Sequence, residues 1–380
     1  MTVVPARKKI VLVCMVNSIH VARWVAQFPS DQYEFILVPS TPSFYEHPRL
    51  TKLAKENKNI SFYPFQGRLG QYVWLADQFI SDSIRSWFLQ RLLKRVKPDY
   101  VHALEFQHGA YLVEKTLRRY KLETPFIATC YGSDIYWFQR FPKHLKRIQA
   151  VLKRADFYSA ECHRDVLLAE ANGFKGTCLP TIPNAGGITE DYLQMQVQKP
   201  ADRKLVMVKG YDSWVGRGSI AAEALGLISN QLDGLELVFY SCERKTRKAI
   251  AALPADLRAR VQIHKKGKLA HEEVMKLFSQ SLIYVGVSLS DGISTSLTEA
   301  MAMGAFPVQT NTACTSEWFS APEQGIEVRD IKVQQVAQDI SEALVRARSL
   351  PLDSWERRRL EVLQLLDQDT ITSQALTFYR

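Results

Sequence analysis

Residues 290–303, SDGISTSLTEAMAM, set two carboxylates, Asp291 and Glu299, around a run of small hydroxylated residues. The apolar run 284–287 before them reads as a buried strand that ends in a polar loop, 288–294. A helix then starts near Thr295 and stops at Gly304, with Ser294 or Ser296 placed to cap it. The first amides of a helix have no acceptor within it, and small residues before it let an anion approach. Gly292 lets the backbone itself come close to a ligand. A diphosphate fits that chemistry. Asp291 precedes the helix and Glu299 lies about one turn inside it, so the two acids address different parts of an elongated ligand. A carboxylate also suits paired hydroxyls such as those of a ribose, from which it accepts two hydrogen bonds.

The elements that must hold this segment alternate between short β-branched runs and longer stretches of helical period. That is the pattern of parallel sheets wrapped by helices, an α/β fold. In the first half the strand candidates are 10–16, 34–38, 60–63, 100–104, 126–130 and 157–160, with helices over 19–28, 71–96 and 109–120. The stretch 181–203 is polar and rich in turn formers, and the strand pattern restarts after it. Strands are then expected over 205–208, 235–240, 261–264, 282–287 and 306–309, with helices over 219–229, 245–252, 271–279, 295–303 and 333–347. The division expected is a first domain over 1–190, a linker over 191–203, a second domain over 204–354 and a helical tail over 355–380.

With 380 residues, 46% apolar and 23% charged, the chain has the makings of two folded domains rather than a disordered or membrane-spanning protein. The opening MTVVPARKKIVLVCMV is read as a first buried strand rather than a signal peptide, since no small-residue cleavage site follows it. Six scattered cysteines without CxxC spacing point to structural thiols in a reducing compartment, and no metal site is expected. Residues 1–200 hold 27 Lys and Arg against 17 Asp and Glu, a surplus equal to the whole net charge of +10. Much of it falls in two basic amphipathic stretches, 85–97 and 143–154. Such helices can rest on an anionic membrane or meet a phosphate-bearing partner. No nucleic-acid motif or interleaved stacking aromatics accompany the charge.

Asp291, seven residues, and then Glu299-Ala-Met-Ala-Met-Gly-Ala-Phe-Pro-Val resemble the acidic signature of the GT-B glycosyltransferases of retaining family 4, also called glycosyl transferases group 1. The resemblance implies two Rossmann-like domains facing across a cleft, with a C-terminal helix crossing back to the first. It implies that Glu299 holds the nucleotide ribose and that the backbone of Gly292, Ile293, Ser294, Thr295 and Ser296 holds the diphosphate, while Asp291 contacts the donor sugar. Ile293-Ser294 replaces the usual Phe-Gly of the sugar pocket, and Asp291 stands where Glu is usual. LVMVKGYDSWVGRGS resembles the family's strand and loop with Arg and Lys for the diphosphate, which points to Arg217 and Lys209; Tyr211 stands at the usual Arg. His264 to Lys268 and the following His271-Glu272-Glu273 resemble the loop and helix that flank the nucleobase. In the first domain Tyr131 stands where many members have His, and Asp134 follows it; His20 is a candidate acceptor-side contact in a loop and helix resembling a bacterial surface-glycan subgroup.

The activity implied is transfer of a sugar from a nucleotide-sugar donor to a glycan, lipid-linked or other glycoconjugate acceptor, with retained anomeric configuration. Neither a divalent metal nor another cofactor is expected, and no nucleic-acid partner. The setting implied is cytoplasmic, with the basic first domain against the inner face of the plasma membrane. Two other readings share the architecture: a nucleotide-sugar epimerase and a non-catalytic binding protein of similar fold.

Overall fold

The computed structural model describes residues 7–41, 45–63, 70, 72–73, 76–77, 79–80, 83–184, 186–319 and 321–380. The chain forms two compact units, residues 1–187 with 369–380, and residues 188–368.

The first unit is built on a parallel sheet of seven strands: β1 (Lys8–Cys14), β2 (Tyr33–Pro39), β3 (Ile60–Phe62), β4 (Tyr100–Leu104), β5 (Phe126–Cys130), β6 (Phe157–Ala160) and β7 (Thr177–Cys178). Their order is β3-β2-β1-β4-β5-β6-β7. Helices cover both faces, so β1 reads KKIVLVC, apolar without alternation, and is buried from Ile10 to Cys14. Residue parity then decides which face each side chain serves. Val11 and Val13 join the core under Ile36 and Val38, whereas Ile10, Leu12 and Cys14 join the opposite core with Phe35 and Leu37.

The second unit repeats the scheme with β8 (Leu205–Lys209), β9 (Glu236–Cys242), β10 (Val261–Lys265), β11 (Ser281–Gly286), β12 (Phe306–Thr310) and β13 (Ile326–Val328), ordered β10-β9-β8-β11-β12-β13. Val206, Val208, Phe239 and Val285 face one core, and Met207, Tyr240 and Tyr284 face the other. In both sheets the strand order reverses once, between β1 and β4 and between β8 and β11. The carboxyl ends of such strand pairs are where open α/β sheets bind ligands.

The differences from the sequence reading are local. β7 has two residues and β13 three, too short to show an alternating pattern. The helix His163–Ala171 went unread because its apolar stripe is weak. The helix expected over 71–96 lies partly outside the described residues, and its second half is the helix Ser83–Val96. Residues 188–203 group with the second unit, as does the helix Leu352–Leu365.

Only residues 369–380 of the tail group with the first unit, and they enter its core. Phe378 lies edge-on to Trp24, with ring centroids 4.9 Å apart. Tyr379 receives a hydrogen bond from Trp24 Nε1 at 3.1 Å, and its hydroxyl lies 2.7 Å from His102 Nδ1. His102 Nε2 lies 2.6 Å from Thr129 Oγ1, itself 2.6 Å from Ser159 Oγ. Burial drives the His102 pKa down to about 3, so the ring is neutral and serves the core as a hydrogen-bond relay.

Candidate functional site

Lys209 ends β8, and residue parity places it on the same face as Met207, toward Tyr240, Tyr284 and the helix Thr295–Ala302. The loop after β11 brings Asp291 and Ser294 to the same place. Lys209 Nζ lies 3.4 Å from Ser294 Oγ and 3.9 Å from Asp291 Oδ2. Burial opposes the ammonium charge, but Tyr284, Asp291, Tyr211 and Glu299 favour it more, and the Lys209 pKa is held above its usual value. The lysine is therefore charged.

Two loops form the floor. Gly216 and Ser288 make an isolated antiparallel bridge, flanked by Arg217 N donating to Val287 O at 2.9 Å and Leu289 N donating to Val215 O at 2.8 Å. This fixes the loop after β8 to the loop after β11 across the strand reversal. Ser294 occupies the N-cap position with an extended backbone, but its hydroxyl makes no cap hydrogen bond and faces Lys209 instead. The expected cap is thus absent: neither a Ser294 nor a Ser296 hydroxyl closes the helix end. The amides of Ile293, Ser294, Thr295 and Ser296 find no acceptor among the described residues. Four donors and the positive end of a helix beside a charged lysine form an anion cradle.

The other end of that helix is held from behind. Gly304 takes φ +81°, and Ala305 N donates to Ala300 O at 2.9 Å, closing the helix. The last carbonyls are taken by buried or half-buried arginines and an indole. Arg359 Nε reaches Ala302 O at 2.9 Å, Arg203 Nη2 reaches Met303 O at 2.8 Å, and Trp355 Nε1 reaches Gly304 O at 2.8 Å. Arg358 Nη2 adds a bond to Gly304 O at 3.0 Å. Positive groups at a helix carboxyl end complement its dipole.

Glu299 is buried on the helix one turn in, and its Oε1 lies 2.7 Å from His271 Nε2. His271 starts the helix His271–Gln280, and its Nδ1 lies 2.8 Å from the Tyr192 hydroxyl. Sequence reasoning missed Tyr192, which sits in the polar stretch read as linker. It noticed His271 only as a neighbour of the nucleobase loop.

The remaining expected residues divide. Arg217 lies on the bridged loop, but its guanidinium folds back onto Gly216 O at 2.5 Å and Ser213 O at 3.4 Å. Lys268 sits on the exposed turn after β10, two strands away from β8 in the sheet. Gly292 and Ile293 are buried in the cradle loop. An acid was missed next to β8: Asp212 is buried and accepts from Ser219 N at 2.6 Å, closing the N-terminus of the helix Gly218–Leu227. At the β8–β11 reversal the helix start of Gly218–Leu227 is thus closed, whereas that of Thr295–Ala302 is open among the described residues.

In the first unit His20, Tyr131 and Asp134 do come together. The His20 and Tyr131 rings are 6.1 Å apart, and Asp134 Oδ2 accepts from Tyr131 N at 2.7 Å. Burial pushes the Asp134 pKa up to about 7. The Tyr131 hydroxyl is buried without a hydrogen-bond partner among the described residues. Its pKa is raised by burial and then by Glu161, Cys14, Asp134 and Glu105. Glu105 was passed over in the sequence. It follows β4 with φ +121°, is buried, and accepts from His108 N at 2.9 Å. Burial and Asp134 push its pKa up to about 8.

Residues 9–161 match a family described as glycosyl transferase 4-like, and residues 203–346 match glycosyl transferases group 1. No curated protein matches the sequence. Among solved structures, a glycosyltransferase from Rickettsia africae is 14% identical with a TM-score of 0.68, covering 99% of this chain and 98% of that one. Anabaena HepE in complex with UDP-glucose is 13% identical with a TM-score of 0.71, covering 97% and 98%. Sucrose-phosphate synthase from Thermosynechococcus elongatus is 14% identical with a TM-score of 0.70, covering 98% of each chain. The fold is GT-B.

Proposed function

We propose that this chain, a glycosyltransferase by its two domain matches and its GT-B fold, takes a nucleotide-sugar donor in its second unit and retains the anomeric configuration of the transferred hexose. One observation carries the donor site: a charged Lys209 stands beside an uncapped helix start, and the buried carboxylate of Glu299 lies one turn further on. The cradle takes the diphosphate, and Glu299 takes the ribose hydroxyls. HepE binds UDP and UDP-glucose, which supports a nucleoside diphosphate as the ligand class.

The leaving group of the reaction is a nucleoside diphosphate, so the main requirement is to offset charge that develops on it. Lys209 and the amides of residues 293–296 are fixed before the substrate arrives and supply that charge without a bound metal. Asp291, already 3.9 Å from Lys209, addresses the sugar. Arg217 joins only by leaving its loop carbonyls. The acceptor, a glycan or lipid-linked glycoconjugate of surface-polysaccharide assembly, is taken by the first unit near His20, Tyr131 and Asp134. Screening UDP, GDP and ADP for thermal stabilisation tests the donor site, and at least one is expected to raise the Tm. If none does, the reading fails. Product analysis by NMR tests retention, and an inverted anomer contradicts it. Full activity in EDTA is expected, and loss of activity that magnesium restores would contradict a metal-free reaction.

A cytoplasmic enzyme resting on the inner leaflet is also proposed. Among the described residues no helix is long and apolar enough to cross a membrane. The helix Ser83–Val96 carries Arg91, Lys94 and Arg95, with Trp87 exposed beneath Arg91 at 4.8 Å, and Phe79 is 88% exposed just before it. Aromatic side chains beside cations suit an anionic lipid surface. Binding to anionic vesicles at low salt that weakens with added salt is expected; no binding at low salt contradicts it.

A further inference from the structure

Glu299 does not stand alone on its helix. The contact of His271 Nε2 with Glu299 Oε1 is 2.7 Å, and that of His271 Nδ1 with the Tyr192 hydroxyl is 2.8 Å. An ionised carboxylate only accepts hydrogen bonds, so Nε2 must carry the proton that meets it. In the neutral ring Nδ1 is then an acceptor, and the Tyr192 hydroxyl donates to it. With a neutral ring the row runs from Tyr192 O–H to Nδ1 and from Nε2–H to Glu299 Oε1. Tyr192 also meets the imidazole edge-on, with ring centroids 5.2 Å apart at 86°, which holds the ring plane.

The row spans three separate elements. Glu299 lies on the helix Thr295–Ala302, His271 opens the helix His271–Gln280, and Tyr192 lies in the short turn Glu190–Leu193. That turn comes directly after the chain passes from the first unit into the second at Ile188. Ile188 N donates to Leu366 O at 2.8 Å, and Tyr192, Met195 and Val197 pack on the same core as Leu297 and Met301. The stretch with the composition of a linker is thus anchored alongside the Glu299 helix. Packing would account for Met195 and Val197; it does not account for a tyrosine hydroxyl in line with an imidazole and a carboxylate.

We propose that His271 and Tyr192 are positioning residues that orient the Glu299 carboxylate for a vicinal diol, and that they set the preference for a ribonucleotide over its 2′-deoxy form. The inference rests on the donor-site reading above. A bond from Nε2–H to Oε1 holds the carboxylate against rotation and sets the plane in which it meets two hydroxyls. Without the imidazole the carboxylate turns, and the paired geometry is lost while the diphosphate cradle stays intact. Hydrogen bonds to a charged group contribute enough for the ribose preference to change roughly tenfold or more.

The test is calorimetric titration of the full chain with UDP, GDP and ADP and with their 2′-deoxy forms. Wild type is expected to prefer the ribo form of its best nucleotide by about tenfold or more. His271→Phe should bring that preference close to unity while affinity for the 2′-deoxy form is kept. His271→Gln, whose amide can still donate to Glu299, should restore much of it, and Tyr192→Phe should fall between. Thermal melts of each variant identify any that fail to fold, in which case the remaining two decide. A preference unchanged in the folded variants overturns the proposal and leaves the donor site standing. Absence of binding by wild type to all six nucleotides overturns the donor site itself.

Discussion

Each of the two sheets is parallel within itself and reverses its strand order once, yet their carboxyl edges carry opposite chemistry. At the β8–β11 reversal a charged lysine stands beside a helix start that is open among the described residues, chemistry suited to an anion. Around the β1–β4 reversal Glu105 and Asp134 are buried, with pKa values pushed up to about 8 and about 7, and burial together with Glu161 and these acids raises the pKa of Tyr131. The unit with the acidic edge is the one that carries the chain's positive surplus. Its excess cations lie largely on helices such as Ser83–Val96 and Pro142–Arg154. Total charge therefore describes the surface of a unit, while the residues at strand ends decide what its edge can bind.

The contrast is most easily broken at Lys209. Lys209→Ala should lower kcat by about a hundredfold or more, since a preorganised positive group at the leaving diphosphate is lost. An equivalent change in the first unit, His20→Ala, should raise the acceptor KM more than it lowers donor affinity. Steady-state kinetics with each substrate varied separately check both, and equal effects on donor and acceptor would erase the distinction.

The tails and backs of the two edges differ as well. Tyr379 is the buried hub of the first unit, so Tyr379→Ala should destabilise the fold by about 3–5 kcal/mol in denaturant titration. In the second unit Gly304→Ala should cost about 1–3 kcal/mol. There φ is +81°, and an added Cβ would lie 2.5 Å from the Trp355 ring. That substitution should also weaken nucleotide binding, because it disturbs the seat of the Glu299 helix; Tyr379→Ala should not, provided the second unit remains folded.

A smaller effect follows from pH. Asp134 titrates near 7 in the folded chain, far above an ordinary carboxyl, so between the two values the folded state holds more protons than the unfolded one. Stability from this group is full at low pH and is lost as pH rises through about 7; Glu105 extends the loss to about 8. The melting temperature should fall between pH 5 and pH 8 once other groups are subtracted, and Asp134→Asn should flatten the slope. A slope unchanged by that substitution would remove the acidic edge from the account.

Much of this was legible in the sequence, for reasons that differ by residue. The strand β11 and the helix Thr295–Ala302 are marked by an apolar run, a polar loop and Gly304, all local signals. Lys209 was marked by the resemblance of its strand and loop to the family's, and strand parity accounts for the face it takes. Tyr192 and His271 could not be paired from the sequence: 79 residues separate them, and hydrogen bonds between distant elements leave no spacing rule. The missing Ser294 cap is similar, since a serine before a helix predicts a cap unless a lysine from another strand competes for its hydroxyl. Glu105 was hidden because strain at φ +121° has no signature in residue type.

In the proposed donor site the Lys209 cradle and Glu299 grip one nucleoside diphosphate. Its most direct test is calorimetric titration of wild type and Glu299→Ala with whichever of UDP, GDP and ADP stabilises the protein most. The account predicts that the substitution weakens binding about tenfold or more while the protein remains folded. Unchanged affinity in a folded Glu299→Ala protein would contradict it.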